Sequence, residues 1–426
     1  MDRPHSAYPL PTTLATLSAL YLAQGLPSGL FAHALPVFWR EAGVSLAWIG
    51  ALKLLALPWV LKALWAPKID QSLQRGIPPA RWLTRLQLPA AMLLFALGWI
   101  GLAPGGSTLA LVTALVLAVN LLMATQDIVT DGLSVRWIPA RWRGHVNTVQ
   151  VAGYKVGMLA GGALLLMLAQ HMPHVAAIGI PAGLLVVLYL LVRTYAPMRA
   201  PLAEEAIDPN HVRATGEESH QPFREGLIGF LKRPGMAFWV AILASYKIAD
   251  AMGSGMIRPM LTDGGWTSGD IGTFTLITTV AGLLGAALGG WLYQKLGSRR
   301  SLIYAGLAQA STMAAWALVA LKGSDPTLVY GIGVLEQLAD GCSTVALFAV
   351  MMSLCRKDWA GTDFTLQASI QVVTAGLFGL VGGVIAQVTS YAFMLLFAGG
   401  LGILVLLVFA LRTRKHHNHL FRGQPT

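Results

Sequence analysis

Apolar stretches of about 20 residues recur along this chain, each long enough to cross a hydrocarbon core about 30 Å thick. Inside such a core only the chain itself can satisfy backbone N–H and C=O groups, which leaves helices and closed barrels. Barrels are built from short alternating segments. These stretches are long and continuous, so they are read as helices. About twelve can be drawn, at 13–38, 46–66, 83–103, 108–136, 145–169, 174–193, 235–260, 270–294, 301–321, 327–355, 364–388 and 390–411. The composition agrees: 55% of residues are hydrophobic and 12% charged, against about 25% charged in a soluble domain.

The basic residues set an orientation. Lys68, Arg75 and Arg81 follow the second stretch, Arg141 and Arg143 the fourth, Lys295, Arg299 and Arg300 the eighth, and Arg356 and Lys357 the tenth. The middle loop adds Arg193, Arg199, Arg213, Arg224, Lys232 and Arg233, and the tail Arg412, Arg414, Lys415 and Arg422. The positive-inside rule places both termini and the middle loop in the cytoplasm. It also accounts for the net charge of +11 without a nucleic-acid partner. Ala32-His33-Ala34 resembles a leader cleavage site, but this region has a counterpart later in the chain and is read as a retained helix.

Charges inside the apolar stretches carry the functional signal. Asp127 and Asp131 lie one helical turn apart before Gly132; Glu336 and Asp340 repeat the pattern before Gly341. A carboxylate near the bilayer centre costs about 2.5–3.5 kcal/mol on insertion scales, so it faces a partner, a cavity or a pathway. Other positions also repeat: Pro36 and Pro259, Ile49-Gly50 and Ile271-Gly272, and Gly144-Thr148-Gln150 against Gly361-Thr365-Gln367. An even helix count per half gives both halves the same orientation, the parallel-repeat arrangement of a transporter. The expected boundaries are a first six-helix bundle over 1–194, a polar linker over 195–233, a second bundle over 234–412 and a tail over 413–426.

Asp127, Asp131, Glu336, Asp340 and Asp250 are the candidates for carrying a coupling proton, since a carboxylate in a partly dry cavity can load and release one. The structural alternatives are ion pairs: Asp127 with Lys155, or Lys247 with Asp250 one turn along or with the acids of the tenth stretch. Candidates for contacting a substrate are Gln24, His33, Gln150, Tyr154, Lys155, Tyr246, Lys247, Gln367 and Gln371. Amides and phenols orient a ligand between apolar walls, or they bond helix to helix. Lys53 and Lys62 are read as snorkelling, and Trp39, Trp48, Trp65, Trp137 and Trp291 as interfacial belts. There is no P-loop, so the energy is expected from an ion gradient, a substrate gradient or a partner. No cofactor and no structural metal are expected. Cys342 and Cys355 are too far apart along one helix to bridge.

The run Gly289-Gly290-Trp-Leu-Tyr-Gln-Lys295-Leu-Gly297-Ser-Arg299-Arg300 resembles the basic glycine-rich loop of the major facilitator superfamily. The first half keeps only Trp65-Ala-Pro67-Lys68-Ile69-Asp70, with Gln71 where the family has arginine. Tyr21-Leu-Ala-Gln24-Gly25-Leu-Pro27-Ser-Gly29, Leu61-Lys62-Ala-Leu-Trp65-Ala-Pro67, Ala124-Thr-Gln126-Asp127-Ile-Val-Thr-Asp131-Gly132 and Gly153-Tyr154-Lys155-Val-Gly157-Met158 are similar to the AmpG-related branch. That branch includes muropeptide permeases, acetyl-CoA transporters and the RhtX/FptX siderophore importers. The compact chain and the run Ala34-Leu-Pro36-Val-Phe-Trp-Arg40-Glu41-Ala-Gly43-Val44-Ser45 resemble the siderophore importers most.

The resemblance implies an all-α integral membrane protein with the major facilitator fold: twelve transmembrane helices in two six-helix parallel repeats. It implies a monomer in the lipid of a bacterial inner membrane that imports a siderophore or ferric siderophore, of pyochelin-like type, by proton-coupled alternating access. Iron would travel as cargo. The alternatives are an AmpG-like muropeptide permease and, in another class, a non-transporting receptor or assembly factor.

Overall fold

The computed structural model describes residues 9–41, 55, 57–100, 107–169, 171–201 and 223–415. Every regular element among them is helical. The chain forms two compact units. The first comprises Met1–Trp137, Ala152–Phe230 and Cys355–Leu366; the second comprises Ile138–Val151, Leu231–Leu354 and Gln367–Thr426.

Helix α1 (Leu10–Gly29) opens behind Pro9, with Pro11 in its first turn, where a missing N–H is harmless. It continues through a π-helical turn, Leu30–Ala34, into α2 (Leu35–Glu41). Then follow α3 (Leu57–Leu61), a 3-10 turn at Lys62–Leu64, and α4 (Ala66–Gln74). Helices α5 (Pro79–Ile100) and α6 (Ser107–Trp137) are long and uninterrupted. Helix α7 (Arg143–Leu159) passes through a second π turn, Ala160–Leu164, into α8 (Leu165–Ala169). Next come α9 (His174–Thr194) and two short helices, α10 (Ala196–Arg199) and α11 (Phe223–Gly229). The remaining helices are α12 (Met236–Ser245), α13 (Ile248–Asp263), α14 (Ser268–Lys322), α15 (Pro326–Leu354), α16 (Ala360–Val388) and α17 (Tyr391–Lys415).

Nine helices among the described residues are long and apolar enough to cross a membrane. The expected stretches at 270–294 and 301–321 fall within α14 as two helices that meet at the non-helical Gly297, with φ 73° and ψ 173°. Most of the expected 46–66 stretch lies outside the described residues. Large apolar side chains cover the outer faces: Met92 is 71% exposed, Leu380 71% and Val388 77%. Such a surface belongs in lipid.

Because lipid is as apolar as leucine, close contact rather than apolar transfer holds membrane helices together. In the first unit this contact is made by glycine. Gly25 and Gly29 of α1 face Gly157 and Met158 of α7, and a Cβ on Gly25 would lie 2.9 Å from the Gly157 Cα. Gly161, in the π turn, sits against the Leu26 carbonyl. Helices α5, α6 and α9 pack beside α1 around Leu94, Val116, Val119 and Leu185. Trp39, expected at an interface, is 1% exposed and belongs to this core, because the π turn carries α2 onward in register with α1. In the second unit α14 packs against α15 and α17. Gly285 and Gly289 lie against the backbone of Leu338 and Cys342.

Regular α-helix stops at Lys62–Trp65, between α3 and α4, and again at Tyr246–Lys247, between α12 and α13. A lysine stands at each break, one in each unit.

Candidate functional site

In the first unit a polar seam runs along α6. Tyr21 of α1 donates to Asp131 Oδ1 at 2.9 Å and lies 2.9 Å from Ser134 Oγ. One turn on, Gln24 Nε2 donates to Thr130 Oγ1 at 3.1 Å. Beyond that, the Lys62 ammonium pairs with Asp127. Lys62 is 3% exposed and sits 5.4 Å from the centre of the Trp59 ring. Trp59 and Trp65 donate to Asn120 and Thr125 of α6 at 3.0 and 3.1 Å. Tyr154 of α7 shares a side-chain hydrogen bond with Ser28.

The second unit places a matching pair at the other helix break. Lys247 Nζ donates to Asp340 Oδ1 and to Ser343 Oγ, each at 2.7 Å. Gln309 of α14 donates to the same Asp340 oxygen at 3.1 Å and accepts from Ser343 at 2.8 Å. Glu336, one turn earlier on α15, is 1% exposed. Its Oε2 accepts from Gln337 at 3.0 Å, while its Oε1 has no hydrogen-bond partner among the described residues and can take a proton.

Two expectations are corrected by this geometry. Lys62 does not snorkel; it is buried and paired, because the 3-10 turn aims it at α6. It, and not Lys155, is the partner of Asp127. Of the alternatives for Lys247, the structure shows the pairing across to Asp340 of α15.

Several of the candidate substrate contacts hydrogen-bond neighbouring helices. Gln367 Oε1 accepts from Trp239 at 2.7 Å and its Nε2 donates to the Met351 carbonyl at 3.1 Å. Gln371 donates to the Leu243 carbonyl, and Tyr246 to the Leu302 carbonyl at 3.0 Å. Gln150 is buried, Lys155 half-buried and His33 exposed. Tyr21, Gln309 and Ser343 do not stand out in the sequence. Lone hydroxyls and amides in apolar helices carry little signal until a partner is seen.

A third cluster gathers around Asp70, which is wholly buried. It accepts from Arg136 Nη2 at 2.7 Å and from the start of α16, at Thr362 N and Oγ1, each 2.7 Å. Nearby, Arg356 holds Asp363 at 2.6 Å and donates to the Gly226 carbonyl of α11 at 2.8 Å.

Membrane-length helices, with an ion pair inside each unit, mark a multi-pass membrane protein. The chain belongs to the Major Facilitator Superfamily, whose family model matches residues 17–379 and 248–426. It is 28% identical over 410 residues to an anhydromuropeptide permease of Escherichia coli, covering 92% of this chain and 79% of the relative. A Rickettsia conorii protein bearing the AmpG name is 25% identical over 358 residues, covering 82% and 84%. Among solved structures, the E. coli fucose:proton symporter FucP matches with a TM-score of 0.70 at 15% identity, covering 94% of this chain and 98% of the other. A bacterial homologue of the iron transporter ferroportin matches at 0.66 and 13%, covering 94% and 99%. At such identities these two likenesses show the fold, which is the major facilitator fold expected from sequence.

Proposed function

We propose that this chain is a muropeptide permease of the bacterial inner membrane. It takes up sugar–peptide fragments of the cell wall into the cytoplasm by alternating access, driven by protons. The observation that carries this reading is the 28% identity to the anhydromuropeptide permease along 92% of the chain. The siderophore expectation rested on the short run 34–45 and on chain size. The relatives favour the muropeptide alternative instead. Buried acids in both units support a proton-driven carrier over a passive receptor, since such groups are costly to keep without a pathway. Both termini are assigned to the cytoplasm and the working unit is one chain.

The test is uptake into sealed membrane vesicles, comparing a radiolabelled anhydromuropeptide with a ferric siderophore, with and without a protonophore. Muropeptide uptake abolished by the protonophore is the expected result. Uptake of the siderophore alone overturns the substrate, and uptake indifferent to the protonophore overturns the coupling.

A further inference from the structure

The two lysine–aspartate pairs are alike in chemistry and unlike in enclosure. The side chains of Lys62 and Asp127 are 4% and 11% exposed, and Trp59 lies beside the ammonium. Those of Lys247 and Asp340 are 13% and 20% exposed. Lys247 also sits where the helix is already broken, with φ −96° and ψ 18° at the start of α13. The Lys247 carbonyl accepts from Ala251 N at 2.8 Å, so a shift of the ammonium is one of the side chain. Its donors go to Asp340 Oδ1, to Ser343 Oγ and, at 3.4 Å, to the Asp340 carbonyl.

We propose that Lys247 anchors a carboxylate of the transported cargo, and that Asp340 is the internal anion that occupies the ammonium when cargo is absent. The inference rests on the muropeptide reading and adds to it the group that is recognised. A part-buried ammonium such as that of Lys247 is held by an anion, because removing one member of an enclosed pair leaves an uncompensated charge. Cargo can therefore displace Asp340 only when Asp340 gives up its charge. It does so by taking a proton on its carboxylate: one negative charge leaves the pair as the cargo carboxylate brings one in. The net charge of the cluster does not change. Protonated Asp340 keeps Gln309 as a hydrogen-bond donor and Ser343 stays bonded to Gln309, so the exchange strands neither. Proton and cargo then favour each other's binding, and by linkage each strengthens the other equally.

The groups around Lys247 and Asp340 fit this exchange. Glu336 lies one turn back on α15 and Asp250 three residues on along α13; both act electrostatically within the same cluster, as do Tyr246 and Cys342. Three carboxyls, Asp340, Glu336 and Asp250, and the Lys247 ammonium therefore act on one another within this cluster. A proton entering the cluster relieves repulsion among the acids, and a cargo carboxylate without a proton would add to it.

The experiment uses the full chain in proteoliposomes and two probes: an anhydromuropeptide, and the same compound with its carboxyls converted to amides. Wild type should bind the acid form about tenfold more tightly than the amide form, the worth of a hydrogen bond to a charged group. Acidification should strengthen binding of the acid form. Lys247→Gln should erase the preference between probes, and Lys247→Arg should restore much of it. Asp340→Asn should make binding of the acid form insensitive to pH. If Lys247→Gln fails to fold, the double variant Lys247→Gln/Asp340→Asn, which removes both charges together, makes the same comparison. A preference that survives loss of Lys247, or a pH response that survives Asp340→Asn, overturns the inference. Equal binding of both probes by wild type overturns it and leaves the muropeptide reading standing. Binding of neither probe overturns that reading and the inference with it.

Discussion

Asp70 caps Thr362, almost three hundred residues away in the chain: its Oδ2 accepts from both the backbone N and the side-chain Oγ1 of Thr362 at 2.7 Å. The start of α16 thus receives a negative charge from α4 beside that of its own Asp363. An anion is favoured there by the unpaired N–H groups of a helix amino end. The other oxygen of Asp70 accepts from Arg136, and no solvent reaches the carboxylate.

Asp70→Asn is therefore expected to leave Arg136 without its anion. The loss should be about 3–5 kcal/mol, the range for breaking one side of a buried pair. Thermal unfolding in detergent measures it. A variant as stable as wild type would show the cap to be dispensable.

The Lys62–Asp127 pair should behave as a unit. Lys62→Met or Asp127→Leu alone is expected to destabilise by about 3–5 kcal/mol, and the double variant to recover most of that. The same cycle with Lys155→Ala in place of Lys62→Met should be additive. Coupling between Asp127 and Lys155 would contradict the pairing.

Gly161→Ala would drive a Cβ into the Leu26 carbonyl and force α1 from its neighbour. A cost of about 1–3 kcal/mol is expected for overpacking, read as a lower yield of monodisperse protein. Gly183, whose Cβ would meet nothing within 4 Å, is the control. There alanine should be neutral or gain up to about 1 kcal/mol from its helix propensity.

Gln367→Ala should lower stability by about 0.6–1.7 kcal/mol, the span for polar contacts between membrane helices. It should leave cargo affinity unchanged, because both ends of its amide are committed to Trp239 and Met351. A large rise in Kd with normal stability would return Gln367 to the substrate site.

The acids at 127, 131, 336 and 340 were legible in the sequence because a charge in a membrane-spanning stretch is conspicuous whatever it touches. Their partners were not. Which cation reaches Asp127 depends on how α6 is rotated against its neighbours and on where α3 gives way to α4. Nothing local marks the break at Tyr246–Lys247, which has neither proline nor glycine. Hydropathy located most helices because bilayer thickness fixes their length. Its two spans at 270–294 and 301–321 lie on either side of the non-helical Gly297, where α14 is two helices meeting at a kink. The glutamines were ambiguous for a related reason: an amide bonding a neighbouring helix and one awaiting a ligand have the same composition.

Gly297 also determines where this chain can vary. With φ 73° and ψ 173° it occupies a region of backbone space open in practice to glycine alone. Lys295 and Arg300 nearby are exposed. A saturation library sorted for protein that reaches the membrane should accept many codons at 295 and 300 and essentially one at 297. The gap would be the same whichever cargo the selection employed, and would identify the joint of α14 from genotype alone.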